Sequence, residues 1–172
     1  MERCRYDWRR CGGGSVDGPA DPEWFGQHGY TDGATAGSVE MLGLEKVALG
    51  QITTPSTAIM SDVVAVLGGG SLTLRFEFDR DGVRFRSGVR FSNVSAHRWR
   101  AESHCTAWHI EGAYDTIVEV EESAWRAELV DAQPAHQRGL WAIRHLMLYL
   151  DSAGCYEVAA ESWELLPDER VE

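Results

Sequence analysis

The densest group of side chains that could do chemistry lies between residues 97 and 109. Its members are His97, Glu102, His104, Cys105 and His109. Imidazole and thiolate are ligands that zinc prefers in proteins. The spacing matches no known zinc motif, and the five-residue interval between His104 and His109 puts them on opposite faces of a regular strand. A metal-dependent hydrolase or metal-binding protein that uses His97, His104 and His109, with zinc as its cofactor, is therefore one alternative function.

The sequence contains none of the common motifs of nucleotide-binding or hydrolytic enzymes. It has no lysine-containing phosphate loop, serine nucleophile elbow, HExxH zinc motif or dinucleotide-binding glycine fingerprint. Cys105 or Cys155 could pair with a histidine as a nucleophile, but no local signature supports such a pair. This pattern favours a protein that is not an enzyme and that needs no cofactor.

Arginines recur at the polar positions of a run of predicted strands. They are Arg75, Arg84, Arg86, Arg90, Arg98 and Arg100. If the strands pair in sequence order, the six guanidinium groups line one exposed sheet face. Guanidinium forks bind carboxylates or phosphates and stack on aromatic rings, so this face predicts a binding surface. The competing interpretation is a set of cross-strand ion pairs with the protein's own carboxylates.

One of the seven tryptophans, Trp99, falls within this arginine series. Tryptophan and arginine dominate the residues that contribute most to protein–protein binding. We therefore assign Trp99 and the six arginines to one predicted binding surface. The same residue types also fit a module that binds a sugar or single-stranded nucleic acid, which is a second alternative.

A two-residue period between residues 72 and 100 must position these side chains. Apolar residues alternate with polar ones over residues 72–78, and the pattern resumes after Asp81 and Gly82. An Asp-Gly pair between alternating strands indicates a hairpin, because glycine accepts the positive φ of the turn. Ser87 and Gly88 predict a break or bulge, after which residues 94–100 continue the same sheet.

About seven short strands separated by turns predict a mainly β protein. The favoured architecture is an antiparallel sandwich or barrel with one short helix, which Ser123 caps. An α+β arrangement, with the helix packed on an antiparallel sheet, is the alternative. We predict one globular domain over residues 38–166, an irregular or disordered segment over residues 1–37, and a frayed end over residues 167–172.

The composition limits the partners of this chain of 172 residues. Its formal net charge is −11, and most of the negative charge lies in residues 111–172. A protein of this charge is repelled by phosphate backbones and anionic lipids. Because the sequence also shows no signal peptide and no apolar run of about 20 residues, we predict a cytoplasmic protein without membrane or general nucleic-acid affinity. The favoured function is non-catalytic binding of a protein partner, and the acidic surface suits neutralisation of a basic one.

Overall fold

The computed structural model describes residues 45–171. In chain order, its strands are β1 (Lys46–Gln51), β2 (Val64–Gly68), β3 (Ser71–Arg80), β4 (Val83–Ser92), β5 (Ala96–Arg100), β6 (Thr116–Val120), β7 (Arg144–Leu150), β8 (Gly154–Ala160) and β9 (Ser162–Arg170). The α-helices are α1 (Ala107–Ile110) and α2 (Ala124–Ala132), and short 3₁₀ turns cover Ser56–Ala58 and Glu102–His104. None of these helices is long and apolar enough to span a membrane. The predicted irregular segment, residues 1–37, lies outside the described residues.

The strands form two antiparallel sheets, which confirms the predicted sandwich. Sheet 1 has the order β1-β6-β7-β8-β5, and sheet 2 has the order β2-β3-β4-β9. The main core lies between the sheets and contains every second residue of the central strands. Its largest fully buried members are Leu72, Leu74, Phe78, Phe91, Ile117, Leu146, Leu148 and Leu150. The alternation predicted over residues 72–91 therefore does separate a buried face from a polar one.

The hairpin and the bulge predicted in sheet 2 are both present. Asp81 and Gly82 have φ of 56° and 75° and connect β3 to β4 in a two-residue turn. The register between β4 and β9 shifts between Arg86 and Gly88. A Cβ at Gly88 would lie 2.0 Å from the carbonyl oxygen of Leu74. Glycine is therefore required where β4 bulges against its neighbour.

The prediction that residues 94–100 continue the arginine-bearing sheet is wrong. The chain leaves sheet 2 after Ser92, and β5 pairs with β8 at the edge of sheet 1. The physical reason is that both edges of β4 are occupied, one by β3 and the other by β9. Since β4 has no free edge, the next strand cannot pair with it, and β5 pairs with β8 instead.

The chain does not fray at Pro167 as predicted, because β9 continues through Arg170. Proline is tolerated there since β9 is an edge strand and Pro167 lies beside the register shift. Beyond it, Arg80 Nη2 lies 2.8 Å from the carboxylate of Asp168, and the amide of Val171 donates to the carbonyl of Arg84 at 3.0 Å. These contacts hold the end of the strand against β4.

The outer face of sheet 1 is covered by the two helices. Helix α1 contributes Trp108 and Ile110 to a second apolar cluster, which includes Met147, Tyr149 and Cys155. Helix α2 begins after Ser123, whose Oγ accepts the amide hydrogen of Arg126 at 3.1 Å. That contact confirms the predicted N-cap.

Candidate functional site

The six predicted arginines do not share one face. Arg75, Arg84, Arg86 and Arg90 alternate with buried residues and lie on the outer face of sheet 2. Arg98 and Arg100 are paired with Glu157 and Cys155 of β8 and lie on the outer face of sheet 1. The geometric basis of the single predicted surface is therefore wrong, because the crossing after β4 separates the arginines into two groups.

Most arginines of sheet 2 pair with the protein's own carboxylates. Arg86 Nη2 lies 2.7 Å from Glu77 Oε1, and Arg84 Nη1 lies 3.8 Å from Glu77 Oε2. Arg90 lies 3.1 Å from Glu164. Arg75 forms no ion pair with any residue between 45 and 171. It is thus the one predicted binding arginine on this face whose charge is not compensated within the described residues.

Arg98 belongs to a buried polar network that the sequence did not indicate as a unit. Its Nε and Nη2 donate to the two carboxylate oxygens of Glu157 at 2.8 and 2.6 Å. His145 Nε2 lies 3.1 Å from Glu157 Oε2, and His145 Nδ1 lies 2.8 Å from Ser123 Oγ. The ring of Trp125 covers the guanidinium group of Arg98 at 4.4 Å. A glutamate and a histidine inside otherwise apolar strands are the sequence signal that could have revealed this network.

The network is arranged for stability. Burial alone would raise the pKa of Glu157, but the hydrogen bonds from His145 and Arg98, and their charges, outweigh burial and lower it to about 2. Glu157 and His145 are 1% and 2% exposed. The hydroxyl of Ser123 is buried and already caps α2. The series of serine, histidine and glutamate therefore presents no free nucleophile to a substrate.

The predicted metal ligands do not come together. His97 is exposed on β5, and His104 is exposed with Nδ1 3.0 Å from Ser103 Oγ. His109 is buried on α1, where its Nδ1 accepts the amide hydrogen of Thr106. Over residues 45–171, no three histidine, cysteine, aspartate or glutamate side chains are placed to hold a metal ion. Cys105 instead contacts the carbonyl oxygen of Ala101 at 3.4 Å. Zinc binding through these residues stays a prediction without geometric support.

Cys155 is expected to be inert toward alkylating reagents in the folded protein. Its side chain is fully buried, and burial, followed by the negative charge of Glu157, raises its pKa to about 12. At pH 8 this lowers the thiolate fraction by about 1,000-fold relative to an ordinary cysteine. A Cys155→Ala variant should therefore show the same number of fast-reacting thiols as the wild type, and one fewer after denaturation. Loss of a fast-reacting thiol in the native variant would contradict this expectation.

Trp99 lines a cleft at one edge of the sandwich. The cleft has a volume of about 310 Å³ and lies between the 3₁₀ turn Ser56–Ala58, the residues that follow it, and the β7–β8 turn. Its lining residues are Ser56, Thr57, Ile59, Ser61, Asp62, Val63, Trp99, Asp151, Ser152, Ala153 and Tyr156. No lysine, arginine, histidine or cysteine is among these described lining residues. The cleft is therefore aromatic and acidic.

The indole ring of Trp99 is exposed and yet held in place. The side chain is 57% exposed, and its Nε1 donates to the carbonyl oxygen of Ala153 at 2.7 Å. On the neighbouring strand β8, Tyr156 is paired with Trp99 and is 7% exposed. A large ring fixed at the mouth of a cleft is typical of a binding residue, since it contacts a ligand with little loss of side-chain freedom.

The acidic groups of the cleft are Asp62 and Asp151. Neither forms an ion pair with another residue of the described part of the chain. Among the causes that raise the pKa of Tyr114, burial comes first and Asp151 second.

Ser56, a buried residue that lines the cleft, forms hydrogen bonds to two other segments of the chain. The amide of Ser56 donates to both carboxylate oxygens of Asp115 at 3.1 Å. The hydroxyl of Ser56 accepts the amide hydrogen of Asp151 at 2.9 Å. Ser56 therefore connects the 3₁₀ turn Ser56–Ala58 to the β7–β8 turn. Because of this hydrogen bond, the two turns that line the cleft are held in place before any ligand binds. Neither Asp62 nor Asp151 was a candidate from sequence, since their proximity depends on the sheet topology.

No known family model, curated protein or solved structure matches this chain. The chemistry of the cleft beside Trp99 therefore carries the functional inference.

Proposed function

We propose that this protein is a non-catalytic binding protein that holds a basic side chain of a protein partner in the cleft beside Trp99. The observation that carries the proposal is the exposed, hydrogen-bonded ring of Trp99 in a cleft that Asp62 and Asp151 also line, neither of which has a cation partner within the described residues. A guanidinium or ammonium group would supply that cation and cover the ring.

Two attractive interactions favour a cation at this position. A cation over an indole face contributes about 0.5–2 kcal/mol, with more when water is excluded. The carboxylates of Asp62 and Asp151 can accept charge-assisted hydrogen bonds, which a planar guanidinium group donates from two sides. We therefore expect an arginine side chain to bind the cleft more tightly than a lysine side chain.

The charge of the whole chain supports a basic partner over an acidic one. A formal net charge of −11 accelerates encounter with a positively charged protein and slows encounter with an anionic one. The absence of histidine, cysteine and lysine from the described lining of the cleft favours binding without catalysis. The proposal thus keeps the predicted basic partner and Trp99, and it places the basic side chain of that partner in the cleft.

The proposal is tested by an NMR titration of the full chain with N-acetyl-arginine amide. The indole N–H signal of Trp99 is assigned by its absence in a Trp99→Phe variant. We expect this signal to shift with a dissociation constant on the order of millimolar, as suits one side chain. N-acetyl-citrulline amide, which has the same shape without the charge, should bind at least about 10-fold more weakly, because it lacks the ionic interaction.

A charge-matched pair of variants separates the cleft from the general acidity of the protein. The double variant Asp62→Asn, Asp151→Asn should abolish the arginine-induced shift. The double variant Glu121→Gln, Glu128→Gln removes two exposed carboxylates outside the cleft and should leave the arginine-induced shift unchanged. An equal response of Trp99 to arginine and citrulline, or equal weakening in both double variants, would overturn the proposal.

A further inference from the structure

The cleft beside Trp99 continues onto the outer face of sheet 2. Ser61 and Asp62 line both the cleft and an adjoining pocket that contains Arg75 and Arg86. Arg75 and Arg86 also line a third depression, which extends to Arg90. Because neighbouring pockets share lining residues, the three lie side by side from Trp99 to the arginines, and together they are named the groove.

Arg75 lies between two neighbours that carry no charge. It is paired across the sheet with Gly88 of β4 and with Val64 of the edge strand β2. Val64 is 55% exposed and lines the same pocket as Arg75. Neither cross-strand neighbour therefore supplies a carboxylate to the guanidinium group of Arg75.

The charge along the groove changes from negative to positive. The end beside Trp99 carries Asp62 and Asp151. Farther along, Arg86 is paired with Glu77, whereas Arg75 has no carboxylate partner among residues 45–171. A partly buried guanidinium group without a partner is best satisfied by a carboxylate, which accepts two parallel hydrogen bonds from it.

We propose that the partner binds this groove as an extended segment that carries both charges. Its basic side chain occupies the cleft beside Trp99, and an acidic side chain of the same segment binds Arg75. This inference rests on the proposed function for the basic side chain and adds the acidic one. The partner is thus recognised by a pair of opposite charges at a fixed separation, which gives specificity that a single basic residue cannot supply.

The inference is tested with peptides that contain one arginine and one aspartate separated by one to five glycines. Both orders of the two residues are used, with blocked termini. Each peptide is compared with its asparagine counterpart by the shift of the Trp99 indole signal. We expect at least one spacing at which the aspartate peptide binds about 3- to 10-fold more tightly, because the second contact is intramolecular once the arginine is bound.

Two variants test whether Arg75 causes the tighter binding of the aspartate peptide. In Arg75→Gln, the aspartate and asparagine peptides should bind equally. Arg84→Gln removes an exposed arginine of the same sheet face that does not line the groove, and it should retain the full gain. The arginine-only response should be the same in both variants.

The possible failures are distinguishable. If arginine binds at Trp99 but aspartate adds nothing at any spacing or in either order, this inference is overturned and the proposed function stands. A gain that persists in Arg75→Gln also overturns it. If N-acetyl-arginine amide alone does not bind, the proposed function is wrong, and this inference, which rests on it, is wrong as well.

Discussion

An Arg98→Met variant should lose up to about 3–5 kcal/mol of the free energy of unfolding, because the buried carboxylate of Glu157 loses both hydrogen bonds from the guanidinium group and keeps only the one to His145. Glu157 is 1% exposed, whereas the Arg98 side chain is 46% exposed. The buried carboxylate of Glu157 therefore needs Arg98 as a partner more than the half-exposed guanidinium group needs Glu157. For a chain of this length, such a loss lowers the melting temperature by roughly 10 °C. Denaturant unfolding of the variant and the wild type measures the difference.

The matched control is Arg90→Met, which removes an arginine from an exposed pair. Arg90 and Glu164 are 41% and 58% exposed, so both charges remain hydrated when the pair is broken. This variant should lose less than about 1 kcal/mol. Equal losses in Arg98→Met and Arg90→Met would show that the buried network does not stabilise the fold.

The effect of Arg98→Met should depend on pH in a defined direction. The pKa of Glu157 falls from its ordinary value of 4.5 to about 2 in the folded protein. A lowered pKa of this size corresponds to about 3 kcal/mol that is fully present above pH 4.5 and is lost as the pH falls toward 2. The stability gap between wild type and variant should therefore be widest near neutral pH and narrow steadily below pH 4.5. A gap that is constant between pH 7 and pH 3 would contradict the assigned role of Glu157.

A Gly154→Ala variant is the second change with a large expected effect. Gly154 has φ of 88°, and a Cβ there would lie 2.2 Å from the carbonyl oxygen of Arg100. The left-handed backbone costs about 1–2 kcal/mol for alanine, and overpacking against backbone adds about 1–3 kcal/mol. We expect a total loss of about 2–5 kcal/mol in denaturant unfolding. Because Ala153 accepts the hydrogen bond of Trp99, the indole signal of Trp99 should also move.

Gly82→Ala is the control that separates the two costs. Gly82 has φ of 75°, but a Cβ there meets nothing within 4 Å. This variant should lose only the backbone cost of about 1–2 kcal/mol and should leave the Trp99 signal in place. If Gly154→Ala costs no more than Gly82→Ala, the β7–β8 turn is not packed against β5 as the structure has it.

The parts of the fold that local pattern determines could be predicted from sequence. Alternation over residues 72–91, the turn at Asp81 and Gly82, and the bulge at Gly88 are each specified by residues a few positions apart. Ser123 likewise caps α2 through a contact three residues away. These features depend on side-chain period and on the φ values that glycine permits, which a single sequence displays.

Strand order could not be predicted, because it depends on which edges remain free. The pairing of β9 with β4 involves residues 70 or more positions apart and keeps β5 from pairing with β4. For this reason the residues predicted to form one face, from Arg75 to Arg100, are divided between two sheets. Arg98 is part of an ion pair with the buried Glu157, and Asp62 and Asp151 line one cleft with Trp99 through a topology that no local pattern contains.

The most direct test of the account is a contact measurement at Trp99 itself. Intermolecular nuclear Overhauser effects are recorded between the methylene protons of bound N-acetyl-arginine amide and the indole ring protons of the full chain. We expect contacts to the ring of Trp99 and none to Trp141, which is 37% exposed but does not line the cleft. Contacts to Trp141 of equal strength, or contacts to neither ring at saturating ligand, would contradict the claim that the cleft beside Trp99 binds a basic side chain.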